Sequence, residues 1–300
     1  MVKRRPALVV LCGLLLTGCG SSAPTVAPTP PPPVAVPVVA PPVAPASVDI
    51  TGRITDTMTG QPIGTFSQSV PRLPAAVTVA VPGYVTRQTV VTTAAPSVDL
   101  FPERGFDLGF YRQLARRTVD AGSPEALRVW SVPSSLAIAV RAGLPAGTAA
   151  ALEAVARQTI PALTGGRLSV QSWAVVDTPS VDARVIDVEL VREPTSNSCG
   201  RGELGGRRIW LNVDPSCAWR GHPVYVPLLG HELGHVLGFS HVTTADTLMS
   251  GTRIREEGPS ALERHHAALA YARPRGNLDI DVDVDPSSSG TRGAALVVVD

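Results

Sequence analysis

The chain has 300 residues, enough for one sizeable core plus something smaller. A formal net charge of +1 gives no electrostatic case for a nucleic-acid partner. Past the first residues no run is apolar for the roughly 20 positions that a membrane-crossing helix needs.

The N-terminus reads as an export signal. "MVKRRP" is basic, and Ala7 to Leu16 is a short apolar run, too brief to span a bilayer but suited to a signal peptide over residues 1–18. It runs into "LTGC", residues 16–19, which resembles the bacterial lipobox. That resemblance implies a lipid on Cys19 and a place in the bacterial cell envelope, at the outer membrane or cell surface, with the lipid as membrane partner. Ordinary secretion with a free Cys19 is the alternative. Residues 19–47 are dominated by Pro, Ala and Val and favour polyproline II. At about 3.1 Å per residue such a linker reaches up to roughly 80 Å from an anchor. A docking ligand is its other reading.

Residues 48–102 change period. Val48, Ile50 and Ile54 alternate with polar residues, "TMTGQP" supplies a turn, and Val77, Val79 and Val81 alternate again before "PGY". Short alternating runs with Gly and Pro turns indicate a small β-sandwich. "TGRITDTMTGQPI" with "VPGYVTR" resembles the transthyretin-like regulatory module found beside carboxypeptidases, which implies a spacer or positioning role.

Residues 103–275 read as a larger mixed α/β (α+β) domain. "FDLGFYRQLARRTVD" puts Phe106, Phe110 and Leu114 on one helical stripe with arginines opposite. "SLAIAV" is a strand (Leu136, Ile138, Val140). "GTAAALEAVARQTI" is a helix turning Leu152, Val155 and Ala156 inward. "RLSVQSW", "RVIDVELV" and "RRIWLNV" are three further strands, and residues 259–273 make a last helix. Cys199 and Cys217 are the thiols left after Cys12 and Cys19. Eighteen positions apart outside the cytoplasm, they most simply form a disulfide, with free thiols or a second metal site as alternatives.

The chain holds 6 histidines, and three fall within residues 231–241, "HELGHVLGFSH". Residues 224–237 read as a buried helix. His231 and His235 lie one turn apart on one face of it, so they aim at a common point. Gly238 follows the last apolar residue and suits the left-handed conformation that ends a helix, which turns His241 toward the same point. Three neutral imidazoles with a fourth position open describe a catalytic zinc site, whereas structural zinc sites close all four. Glu232 lies off the ligand axis and suits a general base acting on a water at the metal.

The same residues match H-E-x-x-H-x-x-G-x-x-H, so the chain resembles the metzincin metalloproteases. "TLMSG" eight residues on resembles their Met-turn, and the short spacing resembles the matrixin branch. The resemblance implies one zinc held by His231, His235 and His241, Glu232 as catalytic base, Met249 as a floor beneath the ligands, and a protein or peptide substrate. It also implies substrate pairing on an exposed sheet edge, for which "RRIWLNV" is the candidate, with Ile209 and Leu211 alternating with Trp210 and Asn212.

Several family features are missing. His222, His265 and His266 do not form the second, structural zinc site of animal matrixins. His222 reads as a loop residue, His265 and His266 as partly exposed helix positions. Neither the calcium loops nor a cysteine-bearing pro-segment is present. Residues 276–300 form a tail or hairpin, with aspartates opposite Leu278, Ile280, Val282 and Val284. Calcium there is possible but unsupported, since an EF-hand's glycine and glutamate are absent. The sequence therefore points to an envelope-tethered zinc endopeptidase. Its alternatives are a tethered binding protein without turnover and a zinc amidohydrolase acting on cell-wall amides. An intact Glu232 favours an enzyme, because a binding protein has no need of the base.

Overall fold

From Val48 onward the period-two alternation becomes strands. The structure, a computed structural model, describes residues 47–130, 135–278, 282 and the backbone of 295–298. The expected signal peptide, Cys19 and the linker lie outside those residues. Among the described residues no helix is long and apolar enough to cross a membrane.

β1 (Val48–Asp56), β2 (Pro62–Val70), β3 (Ala75–Ala80), β4 (Tyr84–Val85), β5 (Arg87–Val91) and β6 (Ser97–Pro102) fall into two sheets, β2-β1-β6-β4 and one built on β3-β5. In β1 every second residue turns inward, so Ile50 and Ile54 bury with Phe66, Val70, Val77, Val79, Val91, Val98 and Leu100 in one cluster. The "TMTGQP" turn closes on Asp56, whose Oδ1 accepts from the N–H groups of Met58 (2.7 Å) and Thr59 (2.8 Å).

Residues 276–300, read as a tail or hairpin, are described only in part. Their last strand, β12 (Ala295–Val298), pairs in parallel with β3, and Val282 bridges Gln88. This covers backbone groups of β3 that would otherwise form a free edge. The aspartates at 279, 281, 283 and 285, where calcium was considered, lie outside the described residues.

The boundary near residue 102 is not a free linker. Phe101 of β6 is buried in the larger core. Arg273 lies over its ring, 4.3 Å from the centroid, and pairs with Asp99 at 3.0 Å.

The larger core is built on helices and one sheet. The first helix is shorter than its stripe suggested. α1 (Leu108–Arg116) begins after Asp107, whose side chain accepts from the Phe110 N–H, and it ends where Arg117 turns left-handed at φ 58°. α2 (Thr118–Ala121) follows and stops at Gly122. Phe106 therefore precedes the helix. Arg116, one of the arginines read opposite the stripe, is buried and donates to the carbonyls of Glu125, Asn277 and Leu278.

β7 (Ser135–Arg141), α3 (Ala146–Thr164), β8 (Ser169–Val176), β9 (Val185–Val191), β10 (Gly200–Gly202) and β11 (Arg208–Asn212) follow, with sheet order β10-β11-β9-β7-β8. All its pairings are parallel except β10 against β11. Leu152 and Ala156 of α3 are buried as expected, and Val155 packs partly buried against the core.

β11 is not the edge. Gly205 turns left-handed (φ 64°) and the Gly206 N–H donates to the Glu203 carbonyl, a turn that folds β10 back along β11. β10 is the strand at the end of the order.

α4 (Leu228–Val236) carries the histidine motif and starts four residues later than the apolar run suggested, because Pro227 disfavours the helical conformation at Val226. α5 (Ala261–Tyr271) opens with a capping box between Ser260 and Glu263. The chain is thus a mixed α/β protein in which α4 packs against α3 and the β10–β11 side of the sheet.

Candidate metal centre

One helical turn separates His231 from His235 on α4, and their Nε2 atoms stand 3.1 Å apart. Past Leu237 the chain reverses at Gly238, φ 100°. Glycine is needed there twice over: a Cβ would strain the backbone and would sit 2.7 Å from the Arg128 carbonyl. The reversal brings the His241 ring to 4.8 Å from that of His235 and 5.3 Å from that of His231. One ring nitrogen of each histidine lies within 4.8 Å of the others, so the three could hold a metal ion.

The opposite nitrogens fix the tautomers. His231 Nδ1 lies 2.6 Å from the Leu248 carbonyl, His235 Nδ1 2.8 Å from the Phe239 carbonyl, and His241 Nδ1 3.0 Å from Asp120 Oδ1. A carbonyl or carboxylate only accepts, so each Nδ1 carries the proton and each Nε2 presents a lone pair to the centre. Two lone pairs facing each other at 3.1 Å repel unless a proton or a cation lies between them. Protonation is a poor solution at neutral pH. Burial, with His235's charge, pushes His231 down to about 3, and burial pushes His235 down to about 4. A metal cation answers the same need with neutral imidazoles, so the donor set fits one.

Glu232 points elsewhere. It is 3% exposed, burial pushes its carboxyl up to about 8, and Oε2 is buried without a hydrogen-bond partner among the described residues. The edge strand crowds it. A Cβ on Gly202 would lie 2.6 Å from the Glu232 carbonyl and 3.2 Å from Oε2, and one on Gly200 would lie 2.9 Å from Leu228. β10 is therefore glycine-rich because it runs against the helix that carries the site.

Beneath α4, Met249 is fully buried with its sulfur against Gly234, where a side chain would collide with it. Two residues that sequence reasoning missed hold this floor and the third histidine. Glu263 accepts from the N–H groups of Leu248 (2.9 Å) and Met249 (2.7 Å), and the Leu248 carbonyl in turn receives His231. Ser260–x–x–Glu263 before an apolar run is a capping-box signature that could have flagged it. Asp120, 121 positions before His241, offers no such local signal. Burial alone would raise its carboxyl, but bonds from His241 and Ser240 outweigh this and hold it below the usual range.

The remaining histidines are apart from the site. His222 is a loop residue as expected, 3.0 Å from Thr148 Oγ1. His266 was expected to be partly exposed and is instead fully buried. Its Nε2 accepts the Asp107 N–H at 2.8 Å, which locks α5 to the start of α1.

Cys199 and Cys217 are bonded, with Cα atoms 5.4 Å apart, so neither is a free thiol or a metal ligand. The bridge ties the segment entering β10 to the turn at Pro215–Cys217. Replacing both by serine opens a loop of 18 residues and is expected to cost about 3 kcal/mol in denaturant unfolding on the chain-entropy model. An unchanged midpoint would refute it.

With zinc as the probe, wild-type protein should bind one ion per chain, and His235→Ala should lose most of it in metal analysis. Retention at full stoichiometry in that variant would remove His235 from the ligand set. No family model matches the chain, and no curated protein matches it either.

Proposed function

We propose that the chain is a zinc-dependent endopeptidase of metzincin type, tethered to the bacterial envelope through Cys19. The observation that carries this reading is the pairing of three converging Nε2 lone pairs with the buried Glu232 carboxyl beside His231, whose Oε2 has no hydrogen-bond partner among the described residues. The resemblance of HELGHVLGFSH and Met249 to the metzincin signature supports it, and the lipobox-like "LTGC" supports the location.

His231, His235 and His241 would hold the zinc, which when bound supplies a Lewis acid and lowers the pKa of the attacking water. Glu232 takes that water's proton and later returns it to the leaving amine. Gly202 and Gly200 close the site on the sheet side. In the antiparallel pairing, Asn212 N–H bonds the Cys199 carbonyl and Glu203 N–H bonds the Arg208 carbonyl, so by alternation the backbone groups of Gly200 and Gly202 face away from β11, those of Gly200 onto the Ser198 hydroxyl. An extended peptide adding to that side of β10 passes beside Glu232, which favours a chain interior over a terminus as the site of cleavage.

The test is digestion of an extended-peptide library by the zinc-loaded protein, with chelator and zinc-readdition arms. Internal cleavage that chelation stops and zinc restores is the expected result. A zinc-loaded protein that leaves all peptides intact refutes it in favour of a binding protein, and release of cell-wall amides alone in favour of an amidohydrolase.

A further inference from the structure

His241 differs from its two partners in what holds it. The Nδ1 atoms of His231 and His235 donate to backbone carbonyls on or next to α4 and the Met249 loop, and both rings lie deep. His241 is the outermost, its side chain 36% exposed, and its Nδ1 donates to a side chain from another element, Asp120 of α2.

All the contacts of that carboxylate go to one place. Oδ1 takes His241 Nδ1 at 3.0 Å, and Oδ2 takes the Ser240 hydroxyl at 2.9 Å and the His241 N–H at 3.4 Å. The Ser240 bond leaves the carboxylate little freedom to rotate, so Oδ1 stays aimed at the imidazole.

The backbone around His241 has other supports. Ser240 N–H donates to the Leu114 carbonyl (2.7 Å), Val242 N–H to the Met249 carbonyl (2.9 Å) and Thr243 N–H to Gln113 Oε1 (2.9 Å). Asp120 is therefore redundant for the path of the chain and specific for the ring. α2 itself has four residues, none of them buried, between left-handed Arg117 and Gly122.

We propose that Asp120 is a positioning residue for the third metal ligand: it sets the tautomer and orientation of His241 and, through them, the affinity of the centre for its metal. This rests on the metal-centre reading above but not on proteolysis. Without the carboxylate the ring of His241 is free to rotate and to expose either nitrogen, and part of the metal's binding energy goes to fixing it. Partners of this kind are worth about 10- to 100-fold in metal affinity.

The test measures zinc dissociation constants by competition with a chromophoric chelator, alongside the Co2+ absorption spectrum and the melting of metal-free protein. Asp120→Ala should weaken zinc by about 10- to 100-fold and alter the Co2+ spectrum. Metal-free melting should fall only by what the freed Ser240 hydroxyl costs, because the three backbone bonds remain. Asp120→Asn keeps an oxygen acceptor for Nδ1–H and should recover most of the affinity. Wild-type affinity in Asp120→Ala overturns the proposal. So does equal loss of metal-free stability in both variants, which would mark a merely structural residue. A wild-type chain that binds neither ion overturns the metal centre and this inference together. Peptides left intact while the affinity series holds overturns the protease reading alone.

Discussion

Glu232→Ala is expected to keep the zinc and the fold and to lose at least about a hundredfold in kcat, as removal of a positioned general base does. The three parts of this expectation have separate physical grounds. Zinc stays because Glu232 is outside the group of converging nitrogens, and His231 is oriented by Leu248, not by its neighbour. The fold stays because the carboxyl's Oε2 has no hydrogen-bond partner to leave behind, and burial makes its charged form unfavourable. Turnover falls because the proton acceptor acts mainly in the transition state, so peptide binding should change little. Zinc lost together with activity would make Glu232 a ligand or a support, and the assignment of its role would fall.

What could be read from the sequence divides by the range of the forces involved. The one-turn spacing of His231 and His235, the reversal at Gly238 and the alternation in β7 and β9 are local, and each is visible in a few residues. β10 was invisible because Gly200–Arg201–Gly202 has no apolar alternation at all. Its glycines are there for the close approach to Glu232, a tertiary requirement that erases the strand signal. The start of α4 was misread because apolar residues at Val224 and Val226 are buried without being helical. His266 was misread for a similar reason: Glu263 to His266 are four polar residues in a row, and the run does not say which of them meets the start of α1. The histidine triad was legible because its members share one short segment, whereas Asp120 and Glu263 reach the site from α2 and α5.

Glu263→Ala is expected to show how much of the site depends on that reach. Glu263 is fully buried, and its carboxylate accepts three backbone N–H groups: Ser260 at 2.7 Å, Leu248 at 2.9 Å and Met249 at 2.7 Å. Alanine leaves all three donors buried and unsatisfied, at about 1–3 kcal/mol each. The loss should therefore be about 3–9 kcal/mol, a large share of the roughly 5–15 kcal/mol that a typical domain has. Helix propensity works the other way, since alanine is the best helix former, but by only a few tenths of a kcal/mol. Glu263→Gln should fall between, because one amide oxygen can serve two donors while its NH2 group faces the third. The damage should also reach the metal. Leu248 donates its N–H to Glu263 and offers its carbonyl to His231, so a loosened Leu248 frees the ring that it orients. Denaturant unfolding of metal-free protein measures the first effect and zinc competition the second. A Glu263→Ala variant that unfolds within about 1 kcal/mol of wild type would mean that the loop around Met249 is held by its packing under α4 and not by this carboxylate.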